Sequence, residues 1–276
     1  MTGALCNVRV EVANRPESVV LVREVLRGLS ESVGLRESDF DDLRTAVTEA
    51  CNNVVLHAYD GGEGPLRVEF YVLASAIEVL VRDLGRGIRP RIEVKEGLPQ
   101  IGLQIIHALA RRVQFEDCDG HGTELRMEFG IRPKRPLRMV SGNSQTPPAL
   151  EAPGGMIITL APADLARTVL PRLLSTLAAQ AHFSTDRIAD VRLLADALAA
   201  RVPRSLLDDR LSILPTVQPR EMELRVGPLR DSGSQRILRD SAIEGLGPVI
   251  EPLIDEHAEL QAGGARVLSL RLLDRR

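Results

Sequence analysis

Apolar residues recur along this chain in two rhythms, and the alternation between them lays out the elements. Residues 7–12 (NVRVEV) alternate apolar and polar positions and predict a strand. Pro16 stands where a first helical turn accepts it, because that turn leaves its N–H groups unpaired. Val19, Leu21, Val22, Val25, Leu26 and Leu29 share one side of the helix that follows, and Gly34 closes it. Ser38, with Asp41 three residues later, resembles a capping box with Asp in place of Glu. It opens a second helix that runs to about His57. Phe40, Leu43, Ala46, Val47, Ala50 and Val54 form its apolar side, while Thr45, Glu49, Asn52 and Asn53 form a polar stripe. Turn signals at Asp60-Gly61-Gly62 and Gly64-Pro65 lead into a hairpin of strands at roughly 66–73 and 76–82. Residues 89–100 read as loop and about 101–111 as helix. Strands at 112–117 and 123–129, joined by a Gly120–Gly122 turn, complete a first domain over 1–130.

Residues 131–154, rich in Pro, Gly, Ser and Arg, then read as a linker. Its basic residues Arg132, Lys134, Arg135 and Arg138 fit a solvated connection better than a site for an anionic partner. The remainder, 155–276, repeats the order of the first domain. MIITLAP matches the first strand, and the next two apolar-periodic stretches match the first two helices. EMELRVGPLRD lies over AIEVLVRDLGR, GLGPVIEPLIDEHAEL falls where PQIGLQIIHALARRV fell, and GGARVLSLRL falls where HGTELRMEFG fell. The expected fold class is α+β: two tandem α/β sandwich domains, each with helices on one side of a largely antiparallel sheet.

With 276 residues there is enough chain for two ordinary domains. Aromatic residues make up only 3%, so the cores must be built from Leu, Val, Ile and Ala, and few platforms exist for stacking nucleic-acid bases. A net charge of −3 supplies no general basic field, which argues against direct nucleic-acid binding. Cys6, Cys51 and Cys118 lack metal-ligand spacing and are odd in number, which fits a reduced, cytoplasmic setting. No secretory leader and no apolar run long enough for a membrane span is expected.

Candidate chemistry sits on the second helix and after the second hairpin strand. Glu49 and Asn53 are one turn apart and share a face. A carboxylate can deprotonate a nucleophile, and a side-chain amide oxygen can ligate Mg²⁺. Alone, such a pair usually decorates a solvated face. Adjacent Asn52 and Asn53 within a helix nevertheless ask for a reason, because Asn competes for its own backbone. Asp83-Leu84-Gly85-Arg86-Gly87 offers an acceptor for an amine edge and two places where a ligand can approach bare backbone. Gly102, at a helix start, leaves backbone N–H groups open to phosphate. Gly122-Thr123 precedes the last strand. His57 and Tyr59 lie near Asn53, with core or capping roles expected for both. His107 and His121 are expected at the surface. Order and spacing together suggest an ATP site.

EACNNVVLHAYDG, VRDLGRGI, IGLQIIHALA and HGTELRMEF resemble the nucleotide-binding boxes of the bacterial anti-sigma-factor serine kinases, within the histidine-kinase-like (GHKL) ATPase superfamily. The resemblance spans about residues 5–130 and implies roles residue by residue. Asn53 would hold Mg²⁺ against the phosphates, and Glu49 would be the base toward a serine hydroxyl. Asp83 would accept the adenine amino group, Gly85 and Gly87 would let the chain pass close to base and sugar, Gly102 would lie under the phosphates, and Thr123 would support the adenine pocket. The implied partners are a sigma factor and an anti-anti-sigma protein. Two features depart from the family pattern. Gln100 stands where the family has a second glycine, and the lid is short, with Pro90, Pro99, Arg89, Arg91 and Lys95. The alternative function is therefore a non-catalytic partner switch that works with or without nucleotide. In the second half, Ala197 and Arg201 stand at the Glu49 and Asn53 positions, and Pro228 and Arg230 at those of Asp83 and Gly85. This is the expected signature of a degenerate copy, making the chain either a monomeric pseudo-dimer or a homodimer.

Overall fold

The computed structural model describes residues 6–86, 101–117, 122–135, 137, 155–239, 242–243, 247–262 and 264–275. The chain divides into two compact units, Met1–Pro136 and Leu137–Arg276.

In the first unit, β1 (Val8–Ala13) leads into α1 (Pro16–Val33) and α2 (Glu37–His57). The hairpin β2 (Pro65–Val72) and β3 (Ala76–Asp83) follows, then α3 (Ile101–Leu109), β4 (Arg112–Asp117) and β5 (Thr123–Gly130). The strand order is β1–β2–β3–β5–β4, with each neighbouring pair antiparallel. Alternation does the work expected of it. Val8, Val10 and Val12 of β1, Leu66, Val68 and Phe70 of β2, and Ile77, Val79 and Val81 of β3 all point into the core. The opposite face carries ion pairs such as Arg9–Glu69, Arg67–Glu11 and Arg126–Glu78. α1 packs on β1 and on α2, and α2 packs on β3, β5 and α3. All the apolar residues expected on the inner sides of α1 and α2 are buried, and each Val, Leu or Phe side chain among them contributes about 1.5–3 kcal/mol.

Gly34 ends α1 at φ 65°, ψ 51°, the left-handed cap expected of it. The expected capping box is not formed. α2 starts earlier, with Arg36 in the N-cap position, and the Arg36 guanidinium clasps Asp39 at 2.8 and 3.1 Å. Glu37 and Asp39 occupy its first turn, where the helix dipole favours acids, and that leaves Ser38 inside the helix. α3 is shorter than expected, and among its apolar residues only Ile106 is fully buried. Residues 131–135 pack on this unit: Ile131 is buried and its N–H donates to the Ser75 carbonyl, while the Arg135 N–H donates to that of Val33.

The second unit runs β6 (Ile157–Leu160), a 3₁₀ turn, α4 (Ala166–Gln180), α5 (Thr185–Ser205), β7 (Leu211–Gln218), β8 (Glu221–Leu229) and α6 (Gly233–Arg239). A ribbon of β9 (Ala242–Ile243) and β10 (Gly247–Pro248) precedes β11 (Glu256–Ala262) and β12 (Ala265–Leu273). Its main sheet is ordered β6–β7–β8–β12–β11, antiparallel throughout. Read from the first strand of each unit, the two sheet orders are the same. One element falls elsewhere than the overlay placed it. The third helix of this unit is α6, upstream of GLGPVIEPLIDEHAEL, whose last residues form β11 instead. Pro248 and Pro252 disfavour an interior α-helical turn there, since proline lacks the N–H that such a turn needs, and a short 3₁₀ turn at Glu251–Leu253 forms instead.

Candidate functional site

Asp83 is the last residue of β3 and is only 4% exposed. Its Oδ1 accepts the Gly85 N–H at 2.8 Å, and the Thr123 backbone donates a second hydrogen bond to the carboxylate. Burial raises the Asp83 pKa above its ordinary value, and these two backbone donors partly offset it. An ionised carboxylate has about four lone-pair positions, so acceptor capacity remains for an amine. Gly122 makes the approach feasible. It adopts φ 94°, and a Cβ there would stand 2.1 Å from the Asp83 carbonyl oxygen. Gly85 passes as closely over the end of α2, where a Cβ would stand 2.1 Å from the Ala58 carbonyl oxygen. That same carbonyl accepts the Arg86 N–H at 3.0 Å.

Glu49 and Asn53 lie on α2, and the start of α3 is laid against them. A Cβ on Gly102 would be 2.8 Å from Glu49 Oε2 and 3.6 Å from Asn53 Oδ1. The Asn53 Nδ2 is buried without a hydrogen-bond partner among the described residues. An unpaired buried amide costs about 1–3 kcal/mol, so the position is poor for stability and suits a ligand. The two ends of a side-chain amide are interchangeable by rotation, so either an amine donor or a metal-ligating oxygen can face the gap.

The structure therefore brings the expected residues together in two groups: Asp83, Gly85 and Thr123, and Glu49, Asn53 and Gly102. α2 connects them. From Glu49 to its C-cap Ala58 it rises about 13 Å, which sets the spacing between the two groups. Gly87, Gln100, His121 and the lid residues lie outside the described residues. His57 is exposed in the last turn of α2, and His107 is exposed on α3. Sequence reasoning did not foresee what Tyr59 does. Its hydroxyl accepts the Leu84 N–H at 2.8 Å and donates to the Pro65 carbonyl at 2.6 Å. Asn14 was also missed. Its side chain brackets the turn before β2, donating to the Gly62 carbonyl at 3.2 Å and accepting the Gly64 N–H at 2.8 Å. Only the glycines beside Tyr59 hinted at a crowded junction. At the matched places in the second unit, Ala197 and Arg201 lie on α5 and Pro228 lies in β8. The Arg230 backbone N–H donates to the Ser205 carbonyl at 2.9 Å and its Nε to that of Leu206, so a hydrogen-bonded arginine stands at the place matched to Gly85.

Residues 12–129 match the model of the histidine kinase-like ATPase domain. A serine-protein kinase RsbW of Halalkalibacterium halodurans is 30% identical over 128 residues, covering 41% of this chain and 77% of that protein. A serine-protein kinase RsbW of Bacillus velezensis is 37% identical over 86 residues, covering 31% of this chain and 54% of that protein. A crystal structure of the RsbU and RsbW domains of a Mycobacterium tuberculosis protein covers 99% of this chain and 88% of that one at 12% identity. Its TM-score of 0.29 is too low for the likeness to carry weight.

Proposed function

Because the chain belongs to the serine-protein kinase RsbW family, with a histidine kinase-like ATPase domain, we propose that its first unit binds ATP with Mg²⁺ and phosphorylates a serine of an anti-anti-sigma protein, while the chain sequesters a sigma factor. One observation carries this reading: the bare Gly102 Cα faces the Glu49 carboxylate and an Asn53 amide with an unpaired buried end. The site residues fit the nucleotide on that ground and on the close backbone passes at Gly85 and Gly122. Asn53 would hold the metal, and Asp83, supported by Thr123, would hold the adenine amino group. Bound Mg²⁺ would supply charge neutralisation at the phosphates. Glu49 would take the proton from the incoming serine hydroxyl, a transfer worth about 10²–10⁴-fold when the base is in reach. The bare backbone at Gly102 would admit the phosphates to the α3 N-terminus, where unpaired N–H groups attract anions.

We read residues 155–276 as a degenerate copy of the first domain, joined by the 131–154 connection, of which 131–135 pack on the first unit. The shared sheet order and the substituted site positions support this. One nucleotide per chain is then expected, and a chain that is either a monomeric pseudo-dimer or a homodimer. We propose a cytoplasmic location, on the reduced setting that an odd number of cysteines without metal-ligand spacing fits; separately, among the described residues no helix is long and apolar enough to cross a membrane.

Calorimetric titration of ATP with Mg²⁺ into the intact chain, with Asn53→Ala as control, tests the site. One ATP per chain, weakened by the substitution, is the expected result. If ATP binds but phosphate never reaches a serine in the parent protein, the protein is a nucleotide-gated switch and the kinase reading fails. If nothing binds, nucleotide binding fails as well.

A further inference from the structure

Tyr59 occupies the junction of three segments that share no strand or helix with one another. Its hydroxyl accepts from the Leu84 N–H, in the residue directly after Asp83, and donates to the Pro65 carbonyl at the first residue of β2. The ring is accommodated because Gly64 has no side chain: a Cβ there would lie 2.1–2.6 Å from three ring atoms. A ring with a packing role alone has no need of a hydroxyl placed between a donor and an acceptor. A tyrosine hydroxyl is protonated at neutral pH and able to donate, and burial raises its pKa further.

Leu84 is 59% exposed, so packing does little to hold it. The segment is held by hydrogen bonds, Gly85 N–H to the Asp83 carboxylate, Arg86 N–H to the Ala58 carbonyl and Leu84 N–H to Tyr59, and by the ion pair of the exposed Arg86 side chain with Asp60. Of these, only the Tyr59 bond ties the residue next to Asp83 to a side chain. Adenine presents an amino donor where guanine presents a carbonyl acceptor, so a fixed carboxylate attracts the first and repels the second.

Resting on the ATP-binding reading above, we propose that Tyr59 is the positioning residue for base selection: its hydroxyl holds the Leu84 backbone, and through it the Asp83 carboxylate, at the adenine amino group. Tyr59→Phe removes the hydroxyl and keeps the ring. Three measurements on the full chain test it: calorimetric affinities for ATP and for GTP with Mg²⁺, amide hydrogen exchange at Leu84, and thermal unfolding. The expected result is faster exchange at Leu84, ATP affinity lower by about two- to tenfold, the range of one hydrogen bond, unchanged GTP affinity, and therefore a smaller preference for ATP. A parallel loss for ATP and GTP, or an unchanged ratio in a parent chain that binds ATP, overturns the assignment to Tyr59 alone. Failure of the parent chain to bind ATP overturns both this proposal and the nucleotide reading beneath it.

Discussion

Gly102→Ala separates a site glycine from a structural one. The added Cβ would stand 2.8 Å from Glu49 Oε2, 3.6 Å from Asn53 Oδ1 and 3.8 Å from Glu49 Cβ. These nearest atoms are all in side chains. To restore ordinary contact at about 3.4 Å or more, the carboxylate must withdraw by about 0.6 Å. Turning a flexible side chain that far costs about 0.5–1.5 kcal/mol. Alanine in place of helical glycine returns up to about 1 kcal/mol. The two effects nearly cancel, so stability should change by less than about 1 kcal/mol in a urea titration. Function should not be spared. A misplacement of about 1 Å in a reacting group can cost on the order of 100-fold, so this shift should lower phosphate transfer at least about tenfold. The methyl group would also crowd the phosphates and weaken ATP binding. The assay pairs urea unfolding and ATP calorimetry with radiolabelled phosphate transfer to a serine-containing partner. Unchanged binding and transfer would refute the placement of phosphates at Gly102. A stability loss above about 3 kcal/mol would show instead that the glycine serves the fold.

Asn53→Ala removes a buried amide with an unpaired end and puts a better helix former in its place. The folded chain should be as stable or up to about 1 kcal/mol more stable by thermal unfolding, while ATP–Mg²⁺ binding is weakened. Gly122→Ala should do the reverse of Gly102→Ala. At φ 94° with backbone 2.1 Å away, the strain should destabilise the chain by about 2 kcal/mol or more, read as a lowered urea midpoint. Asp83 gives a pH test. Its folded pKa is raised, chiefly by burial, so between the unfolded and folded values the folded state binds more protons, and stability contributed by this group falls as pH rises through that window. ATP affinity should move the opposite way, weakening as pH falls toward the raised value, because the adenine amino group needs an acceptor. Asp83→Asn should weaken ATP by about tenfold or more and abolish that acid-side dependence in titrations across the range.

Which positions of each element face inward was legible without a structure. Val8, Val10 and Val12 alternate because only one side of β1 meets the core, and Leu21, Val25 and Leu29 recur because α1 has one inner side. The candidate residues for chemistry stood out as well: Asn53 is a poor choice for a helix interior, and Gly85, Gly102 and Gly122 stand where a Cβ would meet a neighbour within 3 Å. The site itself did not. Nothing local to Gly102 tells that it lies against Glu49, more than fifty residues earlier, or that Gly122 lies over Asp83. Tyr59 reads as one more aromatic until its hydroxyl is seen between Leu84 and Pro65. The start of α2 and the place of α6 were missed for a different reason, a competing local signal passed over: Glu37 and Asp39 favour an earlier first turn, and Pro248 and Pro252 disfavour an interior α-helical turn after Gly245. Periodicity records which side of an element is buried, because that depends on the spacing of its own residues. It does not record what that side meets, because proximity between distant residues is set by the packing of the whole core.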